Sequence, residues 1–288
     1  MVGKTALVTG ATSGIGRATA LALAARGALV GIVARDPDRA RETSAEILAA
    51  GGREPLVFLG DLGSQADVRR VAAEILGRCR RIDVLLNNAG IVNLRRTTTV
   101  DGIESVFAVN HLAYWSLTLL LLDRLRESAP SRIVNVSSDA HKLVDGIAFD
   151  DPGFARGWST MKVYGHSKLA NILFTKELAR RLEGSGVTVN CLHPGAVATG
   201  LGKNNGAWAR AMIALLKPFF RTPQSGAETS LHLACSPDLD ARTGGYFAKC
   251  RERTPSSAAR DDDAARRLWD LSTRLTGIGL DEAGRVFS

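Results

Sequence analysis

Aromatic side chains are scarce, with nine Phe, four Trp and three Tyr making up 6% of the 288 residues. No Lys/Arg-rich block is interleaved with them, so the formal charge of +8, from 37 basic against 29 acidic residues, describes a solvated cationic surface and implies no nucleic-acid partner. The four cysteines, Cys79, Cys191, Cys235 and Cys250, are widely spaced, without a CxxC and without a companion His at metal-binding distance in sequence. That excludes a disulfide scaffold and a zinc module, and it implies reduced thiols and no metal. No stretch reaches 18 uninterrupted apolar residues; the longest candidate, LTLLLLDRL, soon meets Asp123 and Arg124. The chain opens on VGKTALVTG, which reads as strand and turn, so neither a signal peptide nor a membrane anchor is expected and the cytoplasm is the expected location. An internal repeat and a Pro/Ser-rich linker are also missing, and one domain over 1–288 is expected.

What is there is alternation. Short runs rich in Val, Ile and Leu predict strands near 4–9, 28–34, 55–60, 82–86, 131–137, 187–193 and 244–248. Helical patterns near 15–26, 38–50, 65–79, 102–127, 160–183 and 224–235 separate them. Continuous apolar strands joined by helices predict an α/β, doubly wound Rossmann fold, with a mostly parallel seven-stranded sheet covered on both faces. Two stretches near 139–160 and 200–222 interrupt the rhythm after strand ends, where the ligand crevice of such sheets lies. The second carries Trp208, Met212, Ile213, Leu215, Leu216, Phe219 and Phe220, enough apolar surface for a lid over an apolar substrate. The tail 251–288 contains DDDAARRLWDLSTRL, which reads as a terminal helix with acids at its start.

The first strand runs into TGATSGIG, placing Gly10, Gly14 and Gly16 in the turn before a helix, with Thr12, Ser13 and Ile15 between them. Glycines there permit positive φ and close approach of backbone N–H groups to a pyrophosphate, which the helix N-terminus favours. At the end of the second strand, GIVARDP puts Ala34 where an NAD site would hold a carboxylate, and Arg35 follows. A cation suits a 2′-phosphate, so NADP(H) is the expected cofactor, although Asp36 could pair with Arg35 or reach a ribose. Asp61 and Leu62, after the third strand, are placed to border the adenine. Further on, KVYGHSKLANILF sets Tyr164, Lys168, Asn171 and Thr175 on one stripe of an otherwise apolar helix.

Together TGATSGIG, NNAG (87–90), VN (109–110), NVSS (135–138), YGHSK (164–168) and HPGAVAT (193–199) resemble a short-chain dehydrogenase/reductase over roughly residues 4–250. Within that family the stretches around VNHLAYWSLTLLLL and HSKLANILFTKELARRL are most similar to the retinol dehydrogenase and WW-domain oxidoreductase branch, which reduces hydrophobic carbonyls with NADP(H). The resemblance implies a catalytic tetrad of Asn110, Ser138, Tyr164 and Lys168. It implies that Asn88, Ala89 and Gly90 line the adenine-ribose side, that Tyr164 and Lys168 also touch the cofactor, and that Pro194, Gly195, Val197 and Thr199 border the nicotinamide. Asn110 would hold a water linking Lys168 to solvent, and the helices at 102–127 and 160–183 would pair in a homodimer or homotetramer. An expected departure from many members of the branch is the absence of a membrane anchor; the spacing between Ser138 and Tyr164 is about twice that of the shortest family members, and similar long spacings occur in this branch.

Carbonyl reduction needs a hydride for carbon and a proton for oxygen. A tyrosine of pKa about 10 must fall by about three units to work near neutrality, which takes roughly 4 kcal/mol. One cation about 4 Å away at an effective dielectric near 20 supplies about that much, so Lys168 is expected to lower Tyr164. Alternation along the strand lets only one of Ser137 and Ser138 face the crevice; the family pattern favours Ser138, as a donor to the same oxygen. His111, His141 and His166 receive no catalytic role. The predicted activity is therefore interconversion of a ketone or aldehyde and its alcohol on a hydrophobic small molecule. The alternatives are a non-catalytic NADPH-sensing regulator, a double-bond reductase of a large ring, or a nucleotide-sugar epimerase or dehydratase, the last requiring a larger carboxyl-terminal domain.

Overall fold

The computed structural model describes residues 1–195 and 222–288. Its strands are apolar on both sides because both sides are covered: Leu7, Leu85, Ile133 and Val189 point into one core layer, while Ala6, Val8, Val84, Leu86 and Val134 point into the other. The strands are β1 (Thr5–Thr9), β2 (Leu29–Ala34), β3 (Leu56–Leu59), β4 (Val84–Asn87), β5 (Ser131–Val136), β6 (Val187–His193) and β7 (Tyr246–Ala248), all parallel. They lie in the order β3-β2-β1-β4-β5-β6-β7, so the expected seven parallel strands are present. A two-residue β8 (Arg251–Glu252) adds an antiparallel edge that the sequence reading did not include.

The helices are α1 (Gly14–Ala25), α2 (Pro37–Ala49), α3 (Gln65–Arg78), α4 (Ser105–Phe107), α5 (Ala113–Leu120), α6 (Leu122–Glu127), α7 (Thr160–Arg181), α8 (Pro223–Cys235) and α9 (Asp262–Thr276). A hairpin of β9 (Gly279–Leu280) and β10 (Val286–Phe287) follows. The single helix expected over 102–127 is instead three pieces. A π-helical turn, Ala108–Leu112, separates α4 from α5, and a break at Leu121 separates α5 from α6. No described helix is long and apolar enough to cross a membrane.

Strand order reverses between β1 and β4, both neighbours of which are reached by crossovers, so the crevice opens at the carboxyl ends of these two strands. Thr9 ties the two ends together: its hydroxyl oxygen accepts from the backbone N–H groups of Asn88 (2.8 Å) and Ala89 (2.9 Å). Below the crevice a polar ladder runs through the sheet. Asn87 donates to Thr118 and to Asn135, and Asn135 donates to Thr175 on α7, each at 2.9 Å. This fixes α5 and α7 against β4 and β5, and with them the side chains that face the crevice.

Candidate active site

At the mouth of β1, Gly10 has φ +66° and Gly14 φ +52°, conformations that favour glycine. Any Cβ on Gly16 would fall 2.3 Å from the Gly10 carbonyl oxygen and 2.4 Å from Asn88 Nδ2, so α1 can approach the end of β4 only as glycine. Ser13 stands at the start of α1, yet its side chain makes no capping bond, unlike Asp36, Ser64, Ser159 and Thr222 at theirs. The first-turn N–H groups of α1 are therefore left for an anion, which fits a cofactor pyrophosphate. Gly90 lies where a Cβ would meet Asn110 Oδ1 at 3.3 Å and Lys168 Nζ at 3.7 Å.

Arg35 is exposed at the end of β2 and makes no hydrogen bond or ion pair among the described residues. Asp36 neither pairs with it nor reaches outward: its carboxylate caps α2 by accepting from Asp38 (3.0 Å) and Arg39 (3.2 Å) and lies 3.4 Å from the Arg39 guanidinium. Asp61 is exposed, with Oδ1 accepting from Gly63 N at 2.9 Å, and Leu62 beside it is buried. Pro194 is buried and Gly195 has φ +88°, while Val197, Thr199 and most of the 200–222 insertion lie outside the described residues.

Tyr164, Lys168 and Asn171 share one face of α7, toward β5. Lys168 is buried; Nζ donates to the Val136 carbonyl at 3.0 Å and sits 5.6 Å from the centre of the Tyr164 ring. Ser137 and Ser138 diverge as strand alternation requires: Ser137 donates to the Lys168 carbonyl at 2.7 Å, and Ser138 turns to Tyr164. The Ser138 oxygen accepts from Ala140 N at 3.2 Å, which leaves its own hydrogen free for another acceptor. Asn110 lies in the π-helical turn, where such a bulge re-aims a side chain. Its amide pairs both ways with the Ile91 backbone, accepting at 2.7 Å and donating at 3.0 Å.

The short chain dehydrogenase family model matches residues 4–210. The chain belongs to that family. It falls in the retinol dehydrogenase branch: it is 47% identical to retinol dehydrogenase 14 of Mus musculus over 292 residues, covering 96% of this chain and 87% of the relative. Among solved structures it is similar to an uncharacterized protein of Mycobacterium paratuberculosis, with TM-score 0.78 and 33% identity over 96% of this chain and 94% of that one. It is similar also to Pseudomonas aeruginosa RhlG, solved with NADP in its active site, with TM-score 0.69 and 29% identity over 90% and 97% of the two chains. This short-chain dehydrogenase is thus an oxidoreductase of alcohol and carbonyl groups with a nicotinamide cofactor.

Burial acts on both members of the Tyr164–Lys168 pair. Burial raises the phenol above its usual value and the Ser138 hydroxyl only partly offsets this, while burial also brings Lys168 down to about 7, so that it is only partly charged at neutrality. The side chain of Asn110 bonds the Ile91 backbone and Ser167 (3.1 Å), and its backbone carbonyl accepts from Asn171 Nδ2 at 2.8 Å with a second lone pair to spare. What Asn110 secures is the loop that carries Gly90.

Tyr114 was missed by the sequence reading. Its ring lies 5.7 Å from Lys168 Nζ and its hydroxyl donates to the Ala89 carbonyl at 2.8 Å, so it braces the loop from below. The signal was present, since it follows Asn110 by four residues on a helical face. The 139–160 insertion helps to form an open cavity of about 650 Å³ lined by Leu143, Ile147, Ala148, Phe154, Met161 and Lys162. None of the four tetrad residues lines it, though Met161 is one helical turn before Tyr164.

Proposed function

We propose that this dehydrogenase uses NADP(H) to interconvert a ketone or aldehyde and the matching alcohol of a hydrophobic small molecule, with Tyr164 as the acid/base. The observation that carries the reading is the convergence on one crevice of a Ser138 hydroxyl with a free hydrogen, the Tyr164 phenol and the buried Lys168 ammonium. Ser138 donates to the carbonyl oxygen and stabilises the charge that develops there. Tyr164 delivers the proton to that oxygen, and receives it back when the alcohol is oxidised. Lys168, charged in part, opposes the burial that holds the phenol's proton. A nicotinamide held in the crevice would supply or accept the hydride. Gly10, Thr12, Ser13, Gly14, Ile15 and Gly16 would hold the pyrophosphate, Arg35 the 2′-phosphate, and Asp61, Leu62 and Asn88 to Gly90 the adenosine side.

The name of the mouse relative makes retinal one substrate to try, beside aldehydes, cyclic ketones and quinones, in an assay of NADPH oxidation with NADH in parallel. Tyr164→Phe should cut turnover on whichever group reacts by at least about 100-fold, the usual contribution of a general acid. Cofactor affinity and the melting temperature should be unchanged. Full turnover in the purified variant would overturn the mechanism.

A further inference from the structure

We propose that His141 is a positioning residue for Ser138 and that it does this as a neutral ring protonated on Nδ1. The proposal rests on the reading of Ser138 given above. Immediately after β5 the chain bends into a 3-10 turn, Asp139–Leu143, whose first carbonyl belongs to Ser138. That carbonyl accepts twice from the same residue, from the His141 backbone N–H at 3.1 Å and from ring Nδ1 at 2.7 Å. A carbonyl cannot donate, so Nδ1 carries the hydrogen. The other ring nitrogen, Nε2, lies 3.2 Å from the backbone N of Ser256. An amide N–H cannot accept, so Nε2 is bare. The two partners fix one tautomer between them, and a second proton would set N–H against N–H.

The ring is fully buried and stands edge-on to Tyr246 of β7, with centroids 5.2 Å apart and planes at 71°. Tyr246 in turn donates to Asp139 Oδ1 at 3.0 Å, and the backbone N–H of Asp139 donates to His193 Nδ1 at 3.2 Å. Lys142 pairs with the same carboxylate at 2.9 Å. The bend that carries Ser138 is therefore gripped by β6, by β7 and by the segment after β8, and His141 is the grip that bonds Ser138 itself. Burial lowers its pKa, as the neutral ring requires, against the smaller opposing pulls of the Ser138 carbonyl and then of Asp139, with Lys142 adding to the lowering. Losing that bond lets the turn tilt, and a displacement of about 1 Å at a reacting group costs on the order of 100-fold.

A double-mutant cycle separates positioning from general support. His141→Leu should lower kcat by about 10-fold, within that limit, with the cofactor Kd unchanged. His141→Asn, whose amide can place an N–H where Nδ1 stood, should recover most of the loss. In a Ser138→Ala background His141→Leu should cost less than about 2-fold, because the residue it serves is already gone. An equal cost in both backgrounds overturns the proposal while leaving the role of Ser138 intact. No effect of Ser138→Ala alone overturns the reading of Ser138 and this proposal with it. Should His141→Leu fail to fold, the ring 15N shifts of the unaltered protein decide. The Nδ1–H tautomer is expected from about pH 6 to 8, and an Nε2–H or doubly protonated ring overturns the assignment.

Discussion

Arg35 shows how much a single residue can carry. It follows the last residue of β2, is exposed, and makes no bond among the described residues, while Asp36 turns its carboxylate back onto α2 and Arg39. A free guanidinium at that corner suits a 2′-phosphate, whose charge-assisted hydrogen bonds contribute about 1.5–3 kcal/mol. Arg35→Ala should therefore raise the Kd for NADPH roughly 10- to 100-fold and leave that for NADH nearly unchanged, as fluorescence titration of both would show. Equal loss for the two cofactors would remove the phosphate contact. The sequence displayed the arginine and left the aspartate ambiguous. Resolving it took the helix: Asp36 precedes Pro37 at the start of α2, where a carboxylate that caps two N–H groups is no longer available to a ribose.

At the scale of elements, α7 was the most legible part of the chain. Its polar stripe on an apolar cylinder announced a buried site, and Tyr164, Lys168, Asn171 and Thr175 all turn inward toward β5 or the helix carrying Asn110. The π-helical turn at Ala108–Leu112 and the break at Leu121 were not legible. Neither has a Gly or Pro to mark it, and periodicity over such an apolar run cannot distinguish one long helix from three short ones. Nor could composition show that burial would bring Lys168 down to about 7 from its usual 10.5. That shift links stability to pH. Between these two values the unfolded chain holds a proton that the folded protein lacks, so the destabilisation by Lys168 is full below about pH 7 and fades as pH rises toward 10.5. Lys168→Met should accordingly raise the urea midpoint more at about pH 6 than at about pH 9. An equal gain at both would mean that the buried amine keeps its proton in the folded protein as it does in the unfolded chain, so that burial does not lower it.

At the scale of the molecule, the question is what covers the long helices on the side away from the sheet. The tail reading foresaw a terminal helix and left its docking place open; α9 lies along α7 and α5. Trp269 meets Trp115 with ring centroids 4.4 Å apart, Arg181 stacks on Trp269 at 4.1 Å, and Lys176 pairs with Asp262 at 2.8 Å. The following residues seal the same edge, as Trp115 Nε1 donates to the Ile278 carbonyl at 3.1 Å. Ser272 of α9 also bonds His111 Nε2 at 3.0 Å, and His111 Nδ1 reaches Asn171 at 3.2 Å, so the cover connects inward to the site. Any pairing of subunits through the Trp115–Phe174 face would first have to displace α9. Removing the anchor tests how firmly this cover is held. Trp269→Ala leaves a cavity between α5, α7 and α9 and should cost about 3–5 kcal/mol, the range for large aromatic truncations in a core. For a chain of this length that lowers the thermal midpoint by about 2 °C per kcal/mol. If the variant melts with the unaltered protein, α9 is a loosely held appendage and the outer faces of α5 and α7 are available to a partner. If it melts early and gains mass in light scattering, the faces that α9 covers are adhesive, and the tail is what keeps them apart.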